Sequence, residues 1–324
     1  MNILSAFTAG IRGVYRFKRY IFLVFLVNLA VALVLGFAFA GVLSDSFGHG
    51  LAVENMKESF DGLWYSSFTE QASGLLATFD PSVTGIGAVF NGLDAFLTGN
   101  LMSGYTGIIG AGLLYLLLWS FFSGGFIALY AENTEKPSFF QRAAHFFPRF
   151  VILAVTAGIL YYLIFQFILE WLTDFVDERT RETIDERIHF TYTVVKYGIV
   201  WLLVWIVNML FDYGKIITVM QNRANFFTSP FVALYRALIT VFRHFFKTFG
   251  LYLTIGLCWI ILMLVYWLIV PGAGDSSWIA VFGVFLIGQL YLISRIWVRC
   301  LFYAGQTALC GSFLTGPVSG EPEA

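Results

Sequence analysis

Over most of this chain apolar residues neither alternate with polar ones nor recur on one helical face; they run on for twenty or more positions at a time. Such runs occupy about residues 20–42, 106–131, 150–171, 192–220, 248–270 and 278–302. A helix rises about 1.5 Å per residue, so about 20 apolar residues cross roughly 30 Å of hydrocarbon, and all six runs reach that length. The pattern predicts an all-α membrane protein with six spans. Before the first, third and fifth runs the pattern changes to an amphipathic one. Arg12, Arg16, Lys18 and Arg19 are set among Phe7, Ile11, Val14, Tyr15 and Phe17; Arg142 and Arg149 among Phe139, Phe140, Phe146 and Phe147; Arg236, Arg243 and Lys247 among Leu234, Leu238, Val241 and Phe242. Each segment predicts a basic elbow helix lying along the membrane surface ahead of a span.

These parts recur. Gly125, Gly214 and Gly305 each follow a phenylalanine three residues earlier (Phe122, Phe211, Phe302), and Ser5, Ser138 and Ser229 open the three elbows. The period is roughly 90 residues, so the expected architecture is three pseudo-repeats, each an elbow and two spans, in one transmembrane domain over 1–310 with a flexible tail over 311–324. Residues 43–104 form an insertion in the first repeat. It is acidic, and Phe60, Leu63, Trp64 and Phe68, then Val83, Ile86, Val89, Phe90 and Leu93, fall at helical spacing, predicting two short helices on the outer face. Pro271-Gly272-Ala273-Gly274-Asp275 predicts a tight turn.

The first apolar run ends in Ala38-Phe39-Ala40, which imitates a cleavable leader. It exceeds the roughly 7–15 residues of a leader core, and the segment before it matches the other elbows, so a retained span is expected.

Charge adds sidedness. With 59% hydrophobic and 12% charged residues, the chain has too little polar surface for a soluble globule, and its net charge of −1 suggests no nucleic-acid partner. Its mean hydropathy is +0.78. Fourteen basic residues fall in or beside the elbows and even-numbered span ends, against Lys57, Arg179, Arg181 and Arg187 on the other side. That asymmetry puts both termini in the cytoplasm. Trp171, Trp267 and Trp278 stand at the outer boundaries, as interfacial aromatics do. The cluster Glu170–Arg187 interleaves both signs and predicts a solvated helical crown held by ion pairs three and four residues apart.

Candidate chemistry is sparse. His49, His145, His189 and His244 are isolated from one another, Cys258, Cys300 and Cys310 form no Cys-x-x-Cys pair, and neither a nucleophile elbow nor a phosphate-cradling loop is present. No catalytic, metal or cofactor residue is nominated. Charges at membrane depth draw attention because isolated ones are costly there: Asp212, Lys215, Arg295 and Arg299, with Asn208 as a neutral companion. Asp212 is expected to pair with Arg299 or Arg295. Arg236, Arg243, Lys247, Arg142 and Arg149 are the candidate contacts for anionic lipid or a partner membrane subunit.

Ser123-Gly124-Gly125 and Asp212-Tyr213-Gly214, each followed by a short turn and a Ser-initiated, Arg-containing elbow, give the chain its one family likeness. Outside 43–104 it resembles the bacterial multi-span inner-membrane proteins related to the membrane domain fused to glycerophosphodiester phosphodiesterases. The resemblance implies a bacterial cytoplasmic membrane address and no catalytic residues, because the phosphodiesterase activity of the fused proteins resides in a separate soluble domain without counterpart in these residues. The expected function is that of a non-catalytic accessory or lipid-interacting membrane protein. A transporter or channel with a pathway between the repeats, and a membrane-embedded lipid enzyme, are the alternatives.

Overall fold

Uninterrupted apolar sequence satisfies its backbone polar groups within itself, and every apolar run is a helix. The computed structural model describes residues 1–47, 61–72, 109–132, 139–181, 185–221, 228–270 and 278–314. Its helices are α1 (Ile3–Arg16), α2 (Lys18–Phe47), α3 (Gly62–Gln71), α4 (Ile109–Glu132), α5 (Phe139–Leu163), α6 (Leu169–Thr180), α7 (Glu186–Gln221), α8 (Thr228–Arg243), α9 (Phe245–Ile269) and α10 (Trp278–Leu314). A π-helical turn, Ile164–Ile168, joins α5 to α6. Among the described residues there is no strand. Six helical stretches are long and apolar enough to cross a membrane: Lys18–Ser46, Gly112–Glu132, Phe139–Thr180, Glu186–Gln221, Phe245–Ile269 and Phe282–Phe313.

The chain divides into two compact units, one of Met1–Ile21 with Leu116–Ala324, the other Phe22–Tyr115. In the second unit, Asp61 caps α3 by accepting hydrogen bonds from the Leu63 and Trp64 amides at 3.0 and 3.1 Å. Trp64 stacks on Phe68 at 5.2 Å, so the first of the two helices expected in the insertion is present. The second, around Val83–Leu93, and the turn Pro271–Asp275 lie outside the described residues.

In the first unit, elbow and span are separated at single residues in two places. Phe17 (φ −108°, ψ 23°) stands between α1 and α2, and His244 (φ −120°, ψ 33°) between α8 and α9. Their hydrogen bonding matches: the Phe17 N–H donates to the Gly13 carbonyl at 3.3 Å and the Phe17 carbonyl accepts from the Tyr20 N–H at 3.0 Å, while the His244 N–H donates to the Thr240 carbonyl at 3.1 Å and its carbonyl accepts from the Lys247 N–H at 3.0 Å. Upstream of each break lies a strongly amphipathic helix; downstream lies one that is apolar all round.

The sequence places the second elbow at about 132–150 as a separate helix, and there the structure differs. Phe139–Leu163 is one helix containing Pro148, whose missing N–H removes a single helical bond without ending the run. The last span, expected over about 278–302 with its helical pattern continuing to about Cys310, is one helix to Leu314, because Leu301, Ala304, Leu309 and Cys310 are buried and no proline interrupts them.

The core sits where the elbows meet the C-terminal halves of α4, α7 and α10. There Phe126, Ile127, Met209, Tyr213, Ile216, Leu301 and Tyr303 are buried, while the N-terminal halves expose Leu113, Val194, Ile199, Phe285 and Leu290. α1 packs chiefly on α10 and α8 on α7. Glycine makes these contacts close. A Cβ at Gly10 would stand 3.0 Å from the Gly305 backbone, one at Gly125 2.5 Å from the Phe139 ring, and one at Gly214 3.4 Å from Leu234. Gly125, Gly214 and Gly305 thus face α5, α8 and α1 in turn.

Candidate functional site

Counting back from these glycines, Trp119, Asn208 and Arg299 stand six residues before, and Ser123, Asp212 and Tyr303 two before. Helical periodicity puts both positions on the face toward the neighbouring helices. Asp212 and Lys215 form an ion pair at 3.6 Å with side chains only 20% and 17% exposed. Arg299 acts electrostatically on Asp212. Its guanidinium lies 4.1 Å from the centre of the Trp119 ring, and its Nε donates to the Tyr303 hydroxyl at 3.4 Å. The Lys215 ammonium sits 6.0 Å from the Tyr303 ring centre. From α5, Tyr161 donates to Asn208 Oδ1 at 2.6 Å. Tyr252, from α9, is close enough to feel both Asp212 and Arg299 and packs on Phe302 at 4.7 Å. Five helices thus meet at one polar knot.

The structure brings together Asn208, Asp212, Lys215 and Arg299, but not Arg295, which is exposed beside Tyr291. The ion-pair partner of Asp212 is Lys215 on its own helix, one turn on, rather than an arginine of α10. An i,i+3 spacing closes this pair at no cost in interhelical geometry, whereas Arg299 is drawn to the Trp119 and Tyr303 rings. Sequence reasoning missed Trp119, Tyr161, Tyr252 and Tyr303. The first and last stand at the same distances from Gly125 and Gly305 as Asn208 and Asp212 do from Gly214, so that spacing holds the signal; Tyr161 and Tyr252 carry none.

Around the knot, several buried polar atoms have no hydrogen-bond partner among the described residues: the Tyr213 hydroxyl, both amide atoms of Gln306 and the Thr307 hydroxyl. Gln306 is fully buried. Ser123 and Thr218 instead satisfy their hydroxyls on their own helices, donating to Ser120 at 3.1 Å and Gly214 at 2.7 Å. The arrangement holds charge and joins helices. It shows no nucleophile set against a base, and among the described residues no group of three His, Cys, Asp or Glu side chains could hold a metal.

The elbow candidates divide. Arg142 pairs with Glu132 at 2.7 Å, and Arg149 is buried, its guanidinium 5.9 Å from the Phe146 ring centre. Arg236 is half-buried; Arg243 and Lys247 are exposed on either side of the His244 break. The apolar faces are also not as read from sequence. In α8 the buried stripe is Ala233, Ala237 and Val241, and in α1 it is Ala6, Gly10 and Val14, while Phe231, Tyr235 and Phe242, and Leu4 and Tyr15, point outward. In α5, Phe139 and Phe146 are buried but Phe140 is exposed. The small residues allow close packing, and the large apolar ones remain outside beside the arginines.

The chain matches no protein-family profile, no curated protein and no solved structure.

Proposed function

We propose that this is a non-catalytic protein of the bacterial cytoplasmic membrane, with both termini inside, that works through elbows meeting anionic lipid or a partner membrane subunit. The observation that carries the reading is the three-sided build of α1 and α8: a small-residue stripe inward, large apolar residues outward, and arginine between. An exposed Phe231–Tyr235–Phe242 stripe gains free energy at the headgroup boundary, and neighbouring Arg236 and Arg243 add about 1 kcal/mol each near an anionic surface. The three-repeat architecture belongs to the same proposal. Its support is the matching interruptions at Phe17 and His244, 227 residues apart by subtraction of their numbers, and the three glycines that face elbows. This register pairs Ala6, Gly10 and Val14 with Ala233, Ala237 and Val241, three residues from the alignment of Ser5 with Ser229.

The test is to replace Arg236, Arg243 and Lys247 together with Gln and quantify lipids and proteins that copurify. Anionic lipid or a partner should be depleted while all six spans stay inserted. Unchanged lipids and proteins, together with turnover of a lipid by the purified chain, would instead establish the enzyme reading.

A pathway between the helices is the second reading, favoured by charge at membrane depth in Asp212, Lys215 and Arg299. It requires that single cysteines at Asn208 and Ser123 react with a water-borne thiol reagent in intact membranes. The accessory reading expects them to be protected.

A further inference from the structure

We infer that α8 is sunk among the acyl chains of one leaflet, where its outward face is a wedge that reads lipid packing, while α1 stays at the headgroups. This inference rests on the reading of the elbows as interfacial helices, and commits the outward face of one of them to acyl chains rather than to a partner subunit.

The two helices share an inward side and differ on the outward one. With the buried stripe Ala6, Gly10 and Val14 set on Ala233, Ala237 and Val241, Arg16 falls on Arg243, but Ser5, Thr8 and Arg12 fall on Val232, Tyr235 and Ile239. A helix turns about 100° per residue, so large apolar residues outside the stripe cover about 80° in α1, from Phe7 round to Tyr15, and about 160° in α8, from Leu234 round to Val232. The exposed side chains follow this division. Leu4 and Tyr15 share the outside of α1 with Ser5, Thr8, Arg12 and Arg16, whereas Phe231, Tyr235, Leu238, Ile239 and Phe242 share that of α8 with Arg243 alone among its described side chains. The wider arc carries its helix deeper, since every further apolar side chain gains by leaving water. Arg243 and Arg236 stand about 20° apart on the flank beyond Val232, from which their long stems reach back to the headgroups.

What covers the arc is indicated by its continuation. Phe242 is 64% exposed, Phe246 just past the His244 break is 88% exposed, and spacing of three and four residues resumes in α9 at Leu253, Leu257, Ile261 and Leu264, all exposed. α9 is apolar and long enough to cross a membrane, so the outer side of that stripe faces acyl chains. The arc of α8 runs into the same stripe and meets the same medium. A helix that displaces lipid in one leaflet and not in the other gains most where that leaflet is loosely packed, as on a strongly curved surface.

The experiment reconstitutes the full chain in unextruded vesicles of dioleoyl phosphatidylcholine, a neutral lipid, and reads its surface density against vesicle diameter by single-vesicle fluorescence. The wild type should be enriched roughly threefold on the smallest vesicles. Y235T with I239R, which gives α8 the side chains of α1, should abolish the enrichment. T8Y with R12I, the reverse exchange, should increase it, and misfolding cannot produce a gain. Depth is read separately, with Cys258→Ala removing the half-exposed native thiol. A fluorophore on I239C should be quenched most by a spin label on the acyl chain, and one on R12C by a label on the headgroup. Enrichment unchanged by both exchanges overturns the wedge. Absence of quenching at I239C by either label means that protein covers the arc, and overturns the lipid occupant. In both cases the elbow reading survives if R236Q with R243Q and K247Q still depletes anionic lipid or a partner; if that variant also has no effect, both fall.

Discussion

The two ends of the first unit handle charge in opposite ways. At the elbow end a few ionic groups, Asp212, Lys215 and Arg299, are sunk among helices and held by each other and by Trp119 and Tyr303. At the far end a dense cluster runs from Glu170 to Arg187, yet among its described residues no carboxylate reaches a cation within ion-pair distance. Among these described residues the expected ladder of ion pairs is absent. Arg179 lies 5.5 Å from the Phe175 ring centre, Asp185 accepts from the Arg187 amide at 3.0 Å, and Glu170 accepts from Gln166 at 3.5 Å. In water a surface pair gains little over separate solvation, so side chains keep their freedom. Buried charge has no such alternative. The far end is held by apolar packing, Ile164, Leu169, Leu172 and Val200 with Tyr197 and Val207 around them.

That contrast is sharpest for glycine. Gly10 touches the Gly305 backbone, whereas a Cβ at Gly198 would meet nothing within 4 Å. Gly10→Leu is expected to lower stability by about 3 kcal/mol by forcing α1 off α10. Gly198→Ala should leave stability unchanged or raise it by up to about 1 kcal/mol through helix propensity. Thermal unfolding in detergent measures both, and equal effects would erase the distinction between the ends.

Next in size is the ion pair. Asp212→Ala leaves Lys215 in a poorly solvated position and is expected to cost about 2 kcal/mol, partly recovered in the double variant with Lys215→Met. Asp177→Ala, in the crown, should stay within about 0.5 kcal/mol. A full-strength Asp212→Ala protein breaks the comparison. Tyr161→Phe removes the hydroxyl bonded to Asn208 and should cost about 1 kcal/mol, with no further loss when Asn208→Ala is added.

The smallest effect concerns His244, whose ring stacks on Phe313 at 4.1 Å. Partial burial, then the charges of Arg243 and Lys247, hold its pKa below the ordinary value. The neutral ring is therefore the form the fold favours. Its contribution is fully present above about pH 6.5, the ordinary histidine value, and is lost as pH falls from there through the lower folded value. Melting temperature followed between pH 7.5 and roughly pH 5 should decline less in His244→Phe than in the wild type.

Much of the fold could be read from residue order, and the site only half of it. Asn208, Asp212, Lys215 and Arg299 stand out because charged and amide groups are rare in apolar runs. Tyr161 and Tyr252 do not, since a tyrosine in a span differs little from the phenylalanines around it until its hydroxyl finds a partner. The inward faces of the elbows are hidden in the sequence for a related reason. Phe140 and Phe242, expected at the headgroup boundary, are exposed, but their spacing does not mark which residues meet the core. In a membrane protein the outside is apolar as well, so burial goes to residues that pack closest, Ala233 and Ala237 among them.

Sequence alone determined the helical class, the six long apolar helices and the amphipathic segments before α2 and α9, because length and hydropathy decide whether a backbone can enter hydrocarbon. Tertiary structure decided what periodicity leaves open. It chose Lys215 over two arginines as the partner of Asp212, ran the second elbow into its span through Pro148, and turned Ala233 and Ala237 rather than Phe242 to the core. Each of these turns on distances of a few ångströms between helices far apart in sequence, and helical spacing specifies only the face a residue occupies, not what stands across from it.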